Sequence, residues 1–292
     1  MKAPLCLAAV VILLSACSPK AFNVDRPQQL ERADSLLALS DENAERVGIR
    51  RLFDVDHSRL AEESGEILNA SRVVLYSDAA VNTALLQSEP RVGLDLPFKL
   101  LAFSYAGSGR EVELLTIGAD FINARHGLNE PKALEAYEAR QTKLLSGLEV
   151  QTLSTTGVDQ DYGIVELESA LDFEASITAL KEAILAEGDT VWFGRIDYHT
   201  EALELGVELP NISLLVFGAP GPGAKAMYAF PTIGVDAFPQ KVLVYESSDG
   251  AGVRVIYNDI AAMAQLHTGK AALPHRVIKS RLKKTLSGAI QP

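Results

Sequence analysis

The chain contains five histidines, and four lie at or beside positions separated by one constant interval. A shift of 141 residues carries His126 onto His267 and Asp56 onto Asp197, with His57 and His199 close behind those aspartates. Imidazole and carboxylate together suit metal binding or proton transfer near neutral pH. That chemistry requires the Asp-His pair at a strand end to meet the histidine late in a helix of the same copy. In the competing reading each aspartate caps a turn and each helical histidine packs at a domain edge. Asn258-Asp259 divides the same way, into an N-cap for the next helix or two polar groups that orient a ligand. The candidate ligand-binding set is Asp197, His199, Asn258, Asp259 and His267, with Asp56, His57 and His126 as weaker first-copy equivalents. No catalytic residue is assigned, metal binding stays open, and no cofactor is required.

Other routes to chemistry are weaker. The run Gly218-Ala219-Pro220-Gly221-Pro222-Gly223-Ala224-Lys225 invites comparison with a phosphate loop. Its lysine does not follow a glycine directly, no Ser or Thr comes next, and two prolines remove amides that a phosphate cradle needs. A plain turn is the better reading. G-x-S-x-G, H-E-x-x-H and C-x-x-C do not occur, so the easily recognised hydrolase and zinc routes have no support. With 38 acidic against 27 basic residues, a net charge of −11, the chain is a poor partner for nucleic acid. The two cysteines, Cys6 and Cys17, build neither a disulfide framework nor a cysteine zinc cage.

The N-terminus reads as a processed segment. Lys2 and the apolar stretch Leu5 to Leu14 make residues 1–16 a signal peptide, too short for a spanning helix of about 20 apolar residues. Leu14-Ser15-Ala16-Cys17 resembles the bacterial lipobox, which assigns lipidation to Cys17. Residues 17–21 are then a lipidated tether, and acyl chains at about 0.8 kcal/mol per buried methylene anchor it stably. Ser18 after the cysteine points to the outer membrane, facing the periplasm, by the habits of that lipoprotein class.

The same interval runs through most of the chain. It pairs Gly65 with Gly206, Leu68 with Leu209, Pro90 with Pro231, Gly93 with Gly234 and Asp95 with Asp236. A one-residue insertion near Phe238 then pairs Lys99 with Lys241, after which the original shift returns for Arg140 and Arg281. Two domain-sized copies follow, 22–148 and 163–289, joined by a polar linker at 149–162. The second shows its elements better. Strands are expected at 163–168, 190–196, 213–217, 241–245 and 252–257, with a helix after a Ser169/Asp172 capping box. Phe173, Ile177, Leu180 and Ile184 carry that helix, and two more close the unit at about 259–268 and 275–287. The last is basic, with an apolar stripe of Ile278, Leu282 and Leu286, which suits packing with a solvated basic face or contact with an acidic surface. Strands and helices are partly segregated, which favours an α+β class with helices on one face of a sheet. The opening helix of the first copy, about 28–46, is far more polar, so that copy is degenerate at its start.

The order Leu215-Val216-Phe217-Gly218, Pro231-Thr232-Ile233-Gly234-Val235-Asp236, Lys241-Val242-Leu243-Val244-Tyr245 and Tyr257-Asn258-Asp259 before His267 resembles the domain-of-unknown-function 302 family. The first copy resembles it through Pro90, Gly93-Leu94-Asp95-Leu96-Pro97, Lys99 and Arg125-His126-Gly127-Leu128. The resemblance implies two tandem α+β domains of the TATA-binding-protein-like or Bet v 1-like class, each an antiparallel-rich sheet with helices on one face. It implies no agreed activity.

The leading expectation is a non-catalytic envelope lipoprotein that binds a small ligand or another envelope protein. The alternative is a metal- or acid/base-dependent enzyme using the His and Asp positions of the second copy. The copies are expected to pack as an intramolecular pseudo-dimer, because three helices leave part of each sheet uncovered. Pocket function is expected mainly in the second copy, since Asn258-Asp259 aligns with Ile117-Gly118 in the first.

Overall fold

The computed structural model describes residues 25–247, 250 and 252–291. Cys17, the signal segment and the tether lie outside the described residues. The first copy runs α1 (Arg26–Val47), β1 (Arg50–Asp56), α2 (His57–Glu63), β2 (Ser71–Ser77), α3 (Ala79–Ser88), a 3-10 helix (Pro90–Leu94), β3 (Phe98–Phe103), β4 (Glu113–Thr116), α4 (Ala119–His126) and α5 (Pro131–Leu144). A two-residue β5 (Gln151–Thr152) follows. The second copy runs β6 (Ile164–Ser169), α6 (Phe173–Ala186), β7 (Val191–Asp197), α7 (Tyr198–Glu204), β8 (Ile212–Gly218), α8 (Pro220–Met227), a 3-10 helix (Pro231–Val235), β9 (Gln240–Glu246), β10 (Val253–Asn258), α9 (Ile260–Thr268) and α10 (Leu273–Ile290).

Two five-stranded sheets result, ordered β1-β2-β3-β4-β5 and β6-β10-β9-β8-β7. The second is antiparallel throughout, with β6 paired to β10 from Val253↔Ser169 to Asn258↔Ile164. In the first sheet the place beside β4 is taken by β5, which runs parallel to it. The expected polar linker is therefore partly a sheet strand. Its far end is also bound, since the Asp161 amide donates to the Arg125 carbonyl at 2.8 Å.

Several local expectations shift. The segment read as a plain turn after Gly218 forms α8, with Pro220 at its first position, where a missing amide does no harm. Asp172 alone caps α6, accepting from the Ala175 amide at 2.8 Å, while the Ser169 hydroxyl bonds to Ser176. Asp259 caps α9 through the Ala261 and Ala262 amides, and Asn258 does not cap it. In α10 the stripe Ile278, Leu282 and Leu286 is buried, and Ile290 extends it. Of its basic residues, Arg281 pairs with Glu187 and Asp189 and Lys279 with Asp259.

Strands β2, β3, β8 and β9 are almost wholly buried, and their near-continuous apolar runs fit sheets covered on both faces. Part of that cover comes from the other copy. The first 3-10 helix packs on β8, β9 and β10, and the second packs on β2, β3 and β4. Helix α2 meets α8, and α3 meets α7, so the contacts are reciprocal. Gly93 and Gly234 permit this approach. A β-carbon on Gly93 would sit 2.8 Å from Leu243 Cδ1, and one on Gly234 would sit 3.1 Å from Leu101 Cδ1. Overpacking of this kind costs about 1–3 kcal/mol. Gly93→Ala should lower the free energy of unfolding in urea by that amount and Gly234→Ala by less, whereas parental stability in both would contradict the close approach.

Candidate functional site

The polar residues that the fold gathers lie between the two copies. Each 3-10 helix ends in a fully buried aspartate, Asp95 or Asp236. Each aspartate accepts from, or shares a proton with, the histidine at the end of its own copy's helix. His126 Nε2 lies 2.8 Å from Asp95 Oδ2, and His267 Nε2 lies 3.0 Å from Asp236 Oδ2. The α4 and α9 registers set this meeting, because both histidines fall in the last turn. Next to each aspartate stands a buried lysine, Lys99 at the start of β3 and Lys241 at the start of β9.

One residue breaks the equivalence. Arg125, with no solvent exposure, gives Nη1 to both carboxylate oxygens of Asp95 at 2.9 Å. Its Nη2 donates across to Asn258 Oδ1 of the second copy at 2.7 Å, and its Nε donates to the Tyr162 carbonyl at 2.9 Å. Asn258 Nδ2 then donates to the Asp236 carbonyl at 3.1 Å. At the equivalent positions the other way round stand Leu266 and Ile117, so this polar link is made once.

Charge follows geometry here. Burial alone would raise the Asp95 carboxyl, but Arg125 and then His126 outweigh it and hold the group well below the usual carboxylate range. Asp236 is also held down, against burial, by His267 and more weakly by the two lysines. Burial drives both lysines the other way. Lys99 is pushed well below the ordinary ammonium range by burial and then by Lys241, with Asp95 opposing. Lys241 is lowered by burial, against the pull of Asp95 and Asp236.

The expected site residues divide between this cluster and the rest of the fold. Asn258 and His267 join it, as does His126. Asp259 lies beside it as the helix cap, paired with Lys279. Asp197 and His199 do not reach it. Asp197 caps α7 through the Thr200 amide, and His199 Nδ1 bonds the Leu209 carbonyl at 2.6 Å. Asp197 aligns through Ser213 and Val244 with Val255, so three strand spacings of about 4.8 Å separate its row from β10. In the first copy Asp56 likewise caps α2. The Asp-His pairs at the strand ends and the helical histidines are thus separate features. Among the described residues no group of three or more His, Cys, Asp or Glu side chains is placed to hold a metal.

Sequence reasoning passed over Asp95, Asp236, Lys99, Lys241 and Arg125 as site residues, although it aligned the aspartates and lysines as repeat matches. The available signal was a lysine opening an apolar strand in both copies, Phe98-Lys99-Leu100 and Gln240-Lys241-Val242, shortly after a repeated aspartate.

His57 has a different environment. It is buried against the second copy, its Nε2 has no hydrogen-bond partner, and burial pushes the imidazole down to about 4 despite a bond to the Phe238 backbone. A folded value below the unfolded 6.5 means the unfolded chain binds the extra proton first. Stability therefore falls as pH drops from 6.5 toward 4, by about 3 kcal/mol from this group alone. His57→Gln should remove that part of the acid loss. Urea midpoints at pH 7 and pH 4 that fall equally in parent and variant would contradict the assignment.

Comparison with known proteins places the chain in a family. The model for the domain of unknown function DUF302 matches it twice, over residues 29–146 and 165–291. Proteins named fluoride-specific ion channel FluC 1 from Brucella suis biovar 1 and Brucella abortus biovar 1 are each 36% identical over 109 residues. That stretch is 37% of this chain and 41% and 39% of theirs, so the chain spans about two fifths of those relatives. A solved structure of an uncharacterised DUF302 protein from Bacillus stearothermophilus aligns with a TM-score of 0.37 at 13% identity. It covers 44% of this chain and 95% of that one. Two matches that together take in most of the sequence make this chain a member of the DUF302 family, with two tandem α+β domains.

Proposed function

We propose that this protein is a lipid-anchored module of the bacterial envelope, held at the outer membrane through Cys17, that binds a small ligand or an envelope partner without catalysis of its own. The observation that carries the reading is the pairing of its titratable groups. His126 and His267 each bond a buried aspartate, and Asp56, Asp197 and Asp259 cap helices. A general base must reach the proton it abstracts, and these groups already face one another inside the protein. The acid/base alternative therefore loses the residues it relied on.

The reciprocal packing supports a further part of the reading, in which the chain is the intramolecular counterpart of a homodimer of single domains. A linker of this length keeps the two copies at high effective concentration. Among the described residues no helix is long and apolar enough to cross a membrane. The support for the anchor is the lipobox-like run Leu14-Ser15-Ala16-Cys17. The Brucella relatives are named as fluoride-specific ion channels. Their name makes fluoride the first small ligand to try, and a channel the first kind of partner. Cys17→Ser should move the protein from the detergent phase to the aqueous phase of a membrane extraction. Equal partition of parent and variant would contradict the anchor.

A further inference from the structure

We propose that the exposed face of α10 docks on an anionic phospholipid surface, that of the bilayer to which the lipid at Cys17 holds the chain. The anchor belongs to the reading above; the docking face rests on α10 itself. Ile278, Leu282, Leu286 and Ile290 are buried, and the other side of the helix carries Leu273, Arg276, Val277, Lys283 and Lys284. Leu273 is 73% exposed and Val277 55%, the two highest values for large apolar side chains among the described residues. Four residues apart, they lie on one face of the helix. Arg276, Lys283 and Lys284 are exposed, and among the described residues none of them has an ion-pair partner. Lys279 and Arg281, by contrast, are paired with Asp259 and with Glu187 and Asp189. From residue 260 to the end there are six basic residues and no acidic one, in a chain whose net charge is −11.

The repeat separates packing from docking. Helix α5 does the same packing in the first copy, with Tyr137 buried at the position of Ile278. Yet Leu273, Arg276, Val277 and Lys283 have Lys132, Glu135, Ala136 and Thr142 as their equivalents. Packing therefore requires neither the exposed apolar pair nor the single sign of charge. Apolar side chains flanked by long cations suit a bilayer interface, where the former enter the acyl boundary and the latter stay at the phosphates. Such a face is small against the roughly 800 Å² per partner of a stable protein complex. It suffices where an anchor already holds it near the surface. At about 3.5 Å per residue, Cys17 lies within about 30 Å of Asp25. Direct contacts lead from there to α10. The Arg26 side chain donates to the Leu68 carbonyl, Glu66 pairs with Lys225 of α8 at 3.2 Å, and His275 of α10 donates to the Ala226 carbonyl at 3.0 Å. The start of α1, where the tether joins, is thus linked through α8 to the start of α10.

The test places a polarity-sensitive bimane dye on Val277→Cys in the full chain as the cell processes it, reconstituted with lipid vesicles. Vesicles of phosphatidylethanolamine with phosphatidylglycerol should shift the dye emission to the blue and expose it to a lipid-borne quencher. Neutral phosphatidylcholine vesicles, or high salt, should leave it as in water. The same dye on Leu203→Cys of α7, where the leucine is 50% exposed, should not respond. Neutralising Arg276, Lys283 and Lys284 together to Gln should lower the ratio of docked to free chains on the order of 100-fold, at about fivefold per cation. These side chains are exposed, so cooperative melting should be unchanged. The proposal is overturned if the dye at 277 stays in water on anionic vesicles, if neutral vesicles shift it equally, or if the triple variant docks like the parent. It is also overturned if an acidic polypeptide shifts the dye and anionic vesicles do not, which would make the face a protein contact. Flotation with neutral vesicles reports the lipid anchor alone. Its loss would contradict the anchored-module reading, while the response of the dye to anionic vesicles is read independently.

Discussion

A guanidinium with no access to water must find fixed acceptors for its donors, and the packing around Arg125 is organised by that requirement. Its bonds to Asp95, Tyr162 and Asn258 draw together a 3-10 helix of the first copy, the end of the linker and the last residue of a strand in the second. Removing one partner from such a buried set is expensive, on the order of 3–5 kcal/mol, because the other groups stay charged and dry. The link therefore fixes how the copies meet more than it adds to stability. Asp95 in turn orients His126, and Asn258 reaches on to the Asp236 carbonyl. The helical histidines, which invite a catalytic reading by their type, become members of a structural network.

Around this link the two copies contribute equivalent parts. Each offers a 3-10 helix, a buried aspartate with its histidine, and a lysine at the start of the next strand. The equivalence has a consequence for charge. Where matching residues of two copies face each other, like meets like, and two lysines are brought together in a place without solvent. Asymmetry at Arg125 and Asn258 changes the balance of the cluster without duplicating the cation, since Leu266 stands at the equivalent of Arg125. A single-domain homodimer with strict symmetry has no such option.

Much of the fold was legible in the sequence, because the signals were local or repeated. The period of Phe173, Ile177, Leu180 and Ile184 locates α6, and all four are buried. The strands of the second copy lie within a residue or two of their apolar runs. The repeat itself supplies the tandem α+β organisation. Legibility failed where long-range packing decides. Nothing local shows that Gln151-Thr152 pairs beside β4, or that Pro220 opens a helix instead of a turn. The site was half legible. His126, His267 and Asn258 do belong to one cluster, but Asp197 and His199, grouped with them by the repeated His and Asp positions, do not. Sheet order separates these residues, and no single-sequence pattern encodes it. Lys99 and Lys241 were visible as repeat matches, yet a lysine is ordinarily a surface residue. Only burial gives it meaning.

The central claim is that Arg125 and Asn258 couple the copies through one buried interaction, and a double-mutant cycle measures that directly. Arg125→Leu and Asn258→Ile put in the residue types that stand at the equivalent positions, Leu266 and Ile117. Urea unfolding of the parent, both single variants and the double variant gives the interaction free energy. The account predicts that the double variant loses less than the sum of the single losses, by about 1–3 kcal/mol, as expected for residues sharing one buried network. Losses that add to within about 0.5 kcal/mol would mean that the two side chains act independently, and would contradict it.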